Sequence, residues 1–433
     1  MPELKRISQY IWGKLRGHRN IGYVLLYISA LRGSNVALLI IISHLVDIVT
    51  YGKISAVYVF VMSGAQIIGL PLIALALRSV GHSREKSIQD SIFWWAVISV
   101  FVVVSYLALG RSLTGILFSG SIDTAMISMG CFWMCAMGLE ILAGALAASS
   151  GKLRTMAIGS VVQAAATLSI APASIWILGE LGLFLIPVCG LTAGAIMVAR
   201  VFDWRELGAT FHEWRRGAIS HLIVTMGPAA IAALSVTLLS MTLVSITATS
   251  PGAYLDLAIF GIALQLVGVS TFVPQVLSNS ALESGHRAAR DGTHWRKTLA
   301  RWTLLSLGVS GAIGLVIATL GGSFAILYAD GYSLPAGLLS AAGVLVALIG
   351  PVNVLSHILI IGGRQWLSAA ICLISTIVVI GCFVVQPSRS SEAMVWALVA
   401  SNAIRFLAMT GFASLELHQL KAPGRPGKSV RKS

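Results

Sequence analysis

Charged residues are scarce in this chain. They make up 11% of its 433 residues, where an ordinary globular domain carries about 25%. So few charges cannot coat a water-soluble particle of this length, and 57% of the residues are hydrophobic. Lipid must be the solvent for much of the surface, which overrides the two or three soluble domains that length alone would allow. Acidic residues are the scarcest, 16 Asp and Glu against 30 Lys and Arg, for a formal net charge of +14. The basic excess falls in short clusters between apolar segments, as the positive-inside rule produces, so no nucleic-acid partner is expected. The five cysteines form no C-x-x-C pair. Cys131 and Cys135 lie four apart in an apolar helix and read as packing residues, with no metal expected. There is no H-E-x-x-H and no complete G-x-S-x-G. The stretch Gly424 to Ser429 echoes a phosphate loop, but Ala422 stands where its first glycine belongs. No cofactor is expected, and the chain does not read as an enzyme.

Long apolar runs fill the rest. A spanning helix needs about 20 mainly apolar residues, and windows of that size predict helices near 21–46, 54–78, 91–109, 122–148, 155–178, 181–200, 219–247, 253–282, 300–320, 334–361, 366–386 and 393–417. The fold expected is an all-α polytopic membrane protein of about twelve spans, since barrel strands need only about ten residues each. With the N-terminus cytoplasmic, all but five of the 30 lysines and arginines fall on the cytoplasmic side. Lys53, Arg111 and Arg389 lie outside, and Arg32 and Arg405 lie within helices. One missed helix would scramble that bias, so both termini are predicted to be cytoplasmic. The first twenty residues are too polar for a cleaved signal peptide. Leu4, Ile7, Ile11 and Leu15 recur at helical spacing beside Lys5, Arg6, Lys14 and Arg16, which fits a surface helix lying on the membrane lipid. Residues 418–433 read as a disordered basic tail near anionic lipid. The largest outside loop, around Gly321 to Ser333, is short, which disfavours a membrane polymerase or ligase.

The spans divide into two six-helix lobes, 21–200 and 219–417, joined by a linker helix over 201–218. In that linker Phe202, Leu207, Phe211 and Trp214 share one face. The lobes look weakly alike. Helix two enters at Gly52 and carries Gln66 and Pro71; helix eight enters at Gly252 and carries Gln265 and Pro274. Helix four runs out through Ser150, Gly151 and Lys152, and helix ten through Gly362, Gly363 and Arg364. Duplicated halves with a substrate path between them are a common transporter plan.

These features resemble the multidrug/oligosaccharidyl-lipid/polysaccharide (MOP) exporter superfamily, and within it the Wzx-type flippases of O-antigen and exopolysaccharide pathways. The likeness is carried by Val49-Thr-Tyr-Gly52, the proline-containing helix two ending at Arg78, and Ser150-Gly-Lys152. Phe260-Gly-Ile-Ala-Leu-Gln265 running on to Pro274, Leu327-Tyr-Ala-Asp-Gly-Tyr332 and Gly362-Gly-Arg364 add to it. It covers nearly the whole chain as a diffuse pattern. The resemblance implies two lobes in a V, alternating access, and export of an undecaprenyl-pyrophosphate-linked oligosaccharide across the bacterial inner membrane for lipopolysaccharide or exopolysaccharide synthesis. It implies a polysaccharide polymerase as partner and H+ or Na+ as a coupling ion. The alternative is a MATE-like small-molecule antiporter; a membrane glycan polymerase or ligase stands behind both.

A charge at the bilayer centre costs at least about 2.5–3.5 kcal/mol, so ionisable residues there usually face a polar cavity or a partner. Arg32 sits roughly 16 Å into helix one at 1.5 Å per residue, with Asn35 one turn on. Arg405 lies at similar depth in helix twelve. Glu140 lies in helix four, ahead of Gly144 and Ala148. Either the guanidinium groups attract an anionic pyrophosphate or sugar, or Glu140 neutralises one of them in an internal ion pair. The expected pathway residues are Arg32, Asn35, Gln66, Glu140, Gln265, Gln275, Asn353 and Arg405, with Gln265, Gly268, Gln275 and Asn279 near one stripe of helix eight. His44 and Asp47, three apart, and His357, four after Asn353, are candidates for proton or ion coupling, or simply make helix-to-helix hydrogen bonds.

Overall fold

The structure is a computed structural model. It describes residues 22–23, 26–27, 29–78, 91–105, 108, 115, 122–149, 152–201, 217–250, 252–290, 295–329, 332–386 and 389–419. The described residues are helical apart from turns and short connections, and include no strand. The helices are α1 (Ser29–Leu45), α2 (Ile48–Arg78), α3 (Ser91–Ser105), α4 (Thr124–Ser149), α5 (Leu153–Leu178), α6 (Leu185–Val201), α7 (Gly217–Ala248), α8 (Ala253–Ser270), α9 (Phe272–Arg290), α10 (Trp295–Leu320), α11 (Ala336–Ile361), α12 (Gln365–Val385) and α13 (Ser391–Gln419). Among them nine are long and apolar enough to cross a membrane, and Ser29–Leu45, Ser91–Ser105 and Val188–Met197 are shorter apolar helices. Every expected span has its helix. Helices suit this solvent because each closes its own backbone hydrogen bonds.

Two boundaries differ from expectation, each for a local reason. The second span starts at Ile48, six residues early, because Asp47 caps it. Its Oδ1 accepts the N–H groups of Val49 and Thr50 at 2.9 and 3.0 Å, two of the donors that a helix start leaves without partners. The eighth span is broken at Thr271 into α8 and α9, and α9 runs on to Arg290. Pro274 carries no N–H to continue the ladder back to Ser270. The surface segment expected over 1–20, nearly all of the linker expected over 201–218 and of the tail expected over 418–433 lie outside the described residues.

Packing runs both within and between the two expected halves. Helix α2 packs on α4, α4 on α6 and α5 on α6; α10 packs on α11, α11 on α13, α7 on α12 and α9 on α10. Helix α2 also packs on α7 and α8, and these are the main helix contacts described between the halves. At one end of the bundle Arg389 donates to Thr249 Oγ1 at 2.9 Å, and the Ser391 N–H to Asp256 Oδ1 at 2.9 Å. The α1–α2 turn lies at this end too, since His44 meets the Leu327 carbonyl. At the opposite end Lys152 donates to the Arg200 carbonyl at 3.0 Å. Outward faces carry large exposed apolar side chains, among them Phe101, Trp176, Leu304, Leu315 and Leu407. A patchwork of that extent is a lipid-facing surface.

Inside the bundle, small residues let helix backbones touch. Gly314 of α10 and Gly343 of α11 face each other, and a Cβ on either would lie 2.3–2.4 Å from the other's carbonyl oxygen. Gly52 of α2 likewise meets the Tyr254 carbonyl of α8, where a Cβ would come to 2.1 Å. Gly343→Val is therefore expected to cost about 1–3 kcal/mol, the range for overpacked cores, at the upper end because the opposed atom is backbone. Thermal unfolding in detergent reads that loss.

Candidate substrate passage

Arg32 of α1 reaches across to the other half and docks on the break between α8 and α9. Its Nη1 donates to the Gly268 carbonyl at 2.7 Å and to Thr271 Oγ1 at 3.4 Å, and its Nη2 donates to Gln275 Oε1. The last carbonyls of a helix lack intrahelical partners and carry partial negative charge. A guanidinium is the natural group to meet them. All three described partners are neutral, so the positive charge survives. Arg32 is half-buried and Gln275 is exposed, so the pair bridges the two halves at a position that packing does not seal. Tyr58 and Tyr27 lie within electrostatic range of Arg32, and Tyr58 stacks at a tilt on Trp133, centroids 5.6 Å apart. Asn35, on α1, and Gln66, on α2, are both half-buried.

Three of the other expected residues are held by different partners. Glu140 is buried between α4, α5 and α6, where Gln163 Nε2 donates to its Oε1. A Cβ on Gly190 would stand 2.7 Å from that same oxygen. Glu140 is thus bound up with an amide inside the first lobe, a correction to the reading that pairs it with an arginine. Arg405 corrects the reading that both arginines border one passage. It is 6% exposed. Its Nε donates to Ser375 Oγ at 2.9 Å and its Nη2 to Thr376 Oγ1 at 3.0 Å. Those hydroxyls donate onward to the Cys372 carbonyl at 2.8 Å and the Ser235 carbonyl at 3.1 Å. The chain of bonds ties α13 to α12 and α7 within the second half, and it hydrates the charge with oxygen dipoles. Gln265 departs from the expected lining stripe, since it is 3% exposed. Its amide is held between two tyrosines: Tyr328 donates to Oε1 at 2.5 Å, and Nε2 donates to Tyr51 Oη at 3.4 Å.

The coupling candidates scatter. His44 is exposed and its Nε2 meets the Leu327 carbonyl at 3.1 Å. Asp47 is the exposed cap of α2, and the Thr50 hydroxyl, followed by backbone N–H groups, holds its carboxyl below the usual carboxylate range. His357 Nε2 lies 2.9 Å from Ser278 Oγ, a bond between α11 and α9, and Asn353 is half-buried one turn away. Among the described residues no group of three His, Cys, Asp or Glu is placed to hold a metal. Sequence reasoning missed Thr271, Gln163 and the tyrosines Tyr51, Tyr328 and Tyr332. Tyrosines four apart after a span end, with a third at a span start, were the available signal.

The geometry has solved counterparts. An inward-facing multidrug resistance MATE family transporter of the MOP superfamily superposes with a TM-score of 0.71, at 15% identity over 93% of this chain and 96% of that one. The chain has the MATE fold. An outward-facing MATE family transporter scores 0.66 at 14% identity, over 92% and 94% of the two chains. A MOP superfamily transporter from Pyrococcus furiosus, described as having a binding pocket of reverse polarity that suggests a different function, also scores 0.66 at 14% identity, over 92% and 95%. No family model matches the sequence, and no curated protein matches it.

The two arginines are expected to respond differently to truncation. Arg405→Ala removes two charge-assisted hydrogen bonds that tie α13 to α12 and should lower stability by about 1–3 kcal/mol. Arg32→Ala, at a position that packing does not seal, should leave the melting temperature nearly unchanged. Paired thermal melts of the two variants in detergent check this.

Proposed function

We propose that this chain is a membrane transporter working by alternating access, and that its cargo is an anionic lipid-linked oligosaccharide of the undecaprenyl-pyrophosphate class. The MATE fold supports the transport reading. The observation that carries the cargo reading is Arg32, a cation between the lobes whose partners are the Gly268 carbonyl, Thr271 and Gln275. A fork of donors held by neutral acceptors, beside the exposed Gln275, can exchange those acceptors for pyrophosphate oxygens. A carboxylate partner would have cancelled that attraction. The cytoplasmic side is the end bearing Lys152 and Arg200, following the lysine and arginine bias. On this reading both termini are cytoplasmic in a bacterial inner membrane, and a polysaccharide polymerase consumes the product outside.

A second reading, a small-molecule antiporter, is favoured by one observation. The solved structures of like fold include multidrug resistance MATE transporters. The two readings differ on Arg32, which has no part in attracting a cation.

Leaflet-resolved analysis of undecaprenyl-linked glycan in cells carrying Arg32→Ala separates them. The variant is expected to insert at normal levels, to export at least about tenfold less glycan, the scale of one charge-assisted hydrogen bond, and to accumulate glycan in the inner leaflet. Arg32→Lys should recover part of the export. Unchanged glycan with altered drug sensitivity would favour the antiporter.

A further inference from the structure

The segment between α10 and α11 makes contacts that none of the above uses. It leaves α10 at Leu320, passes through the helical turn Gly322–Ala325, and lays Leu327, Tyr328, Ala329 and Tyr332 against the first lobe. His44 of α1 donates from Nε2 to the Leu327 carbonyl at 3.1 Å, and the Ala329 N–H donates to Ser43 Oγ at 3.3 Å. Tyr51 of α2 sits edge-on to both tyrosines of the segment, with centroids 6.3 Å from Tyr328 and 5.4 Å from Tyr332. Those two are 6.2 Å apart, also edge-on. All three rings are buried. Offset and edge-on aromatic pairs add to the apolar burial.

At the centre stands Gln265 of α8. An amide offers one acceptor and one donor, so it can bind two hydroxyls at once. Here it takes the Tyr328 proton on Oε1 and gives an amide proton to the Tyr51 oxygen. Tyr51 belongs to the first lobe, and Gln265, Tyr328 and Tyr332 to the second. Separating the lobes at this end would break the Gln265–Tyr51 bond, part the Tyr51 ring from Tyr328 and Tyr332, and release the His44 and Ser43 bonds to the segment, a cost that falls due only on opening.

We propose that the α10–α11 segment is a strap that holds the outer end of the passage shut, pinned by Gln265 between Tyr51 and Tyr328. The proposal rests on the alternating-access reading and adds to it the device that sets the resting state. The strap stabilises the conformation closed at the α1–α2 end. Opening outward requires the Gln265 amide and the Tyr51 hydroxyl to gain water or other partners, so cargo entering from the opposite side must supply the free energy that loosens them.

Spin labels on cysteines at Ala125, at the start of α4, and Gln386, after α12, report the separation of the lobes at this end. Both positions are exposed. The chain would carry alanine at its five native cysteines and sit in lipid nanodiscs without cargo. The parent should show one dominant short distance. Gln265→Leu and Tyr51→Phe should each raise the long-distance fraction at least about fivefold, the shift expected from one lost hydrogen bond between the lobes. Tyr51→Phe removes only a hydroxyl and keeps the ring, so it stays informative even where Gln265→Leu fails to fold. Distance distributions identical to the parent in a folded variant would overturn the strap. Variants that widen in a chain that moves no glycan would keep the strap and lose the cargo class. Unchanged distances in a chain that does flip glycan would lose the strap and keep the transporter.

Discussion

A guanidinium inside a bilayer has to replace its hydration shell, and in this protein the two buried arginines do so in opposite ways. Arg405 is surrounded: two hydroxyls accept from it and pass the polarity on to backbone carbonyls of α12 and α7. Arg32 is half-buried, docked on the end of α8, and pairs with the exposed Gln275. A charge fully satisfied by its own lobe is part of the fold, while a charge that borrows acceptors from the opposite lobe is sensitive to how the lobes sit; the proposed cargo role rests on that difference.

That sensitivity links the middle of the passage to its end. The Gly268 carbonyl can meet Arg32 because α8 stops at Ser270, which leaves that carbonyl without an intrahelical donor. The same helix carries Gln265, less than two turns before the break, in the tyrosine cluster with Tyr51 and Tyr328. On the proposed reading helix α8 presents one contact to the cargo and another to the closed end, so a displacement of α8 relative to α1 and α2 would be felt at both. Its contacts with α2 at Gly52 and Tyr254, and at Ser55 and Gly261, belong to the seam that opening has to part.

Much of the fold was legible in the sequence because lipid imposes a coarse rule: twenty apolar residues, then a basic or polar turn. Every span was found that way. Misses arose where a side chain overrode hydropathy. Asp47 started α2 early by capping it, and Pro274 split the eighth span. The site was less legible. A sequence shows that Arg32, Arg405, Gln265 and Glu140 are polar and deep, but depth alone does not say which face of a helix they occupy. Only Arg32 and Gln275 came together, while Glu140 turned to Gln163 and Gln265 to the tyrosines. The three tyrosines went unread because a tyrosine near a span end ordinarily marks the membrane interface, and the long-range pairing of position 51 with 328 leaves no local pattern.

The central claim is that Arg32 lies on a water-accessible passage open towards the cytoplasmic side. Arg32→Cys in a chain without other cysteines tests it, with a membrane-impermeant thiol reagent applied to inside-out membrane vesicles. The account predicts rapid modification, slowed by undecaprenyl-pyrophosphate glycan. A cysteine that resists the impermeant reagent yet reacts with a lipid-soluble one would place the side chain in lipid or sealed packing and contradict the account.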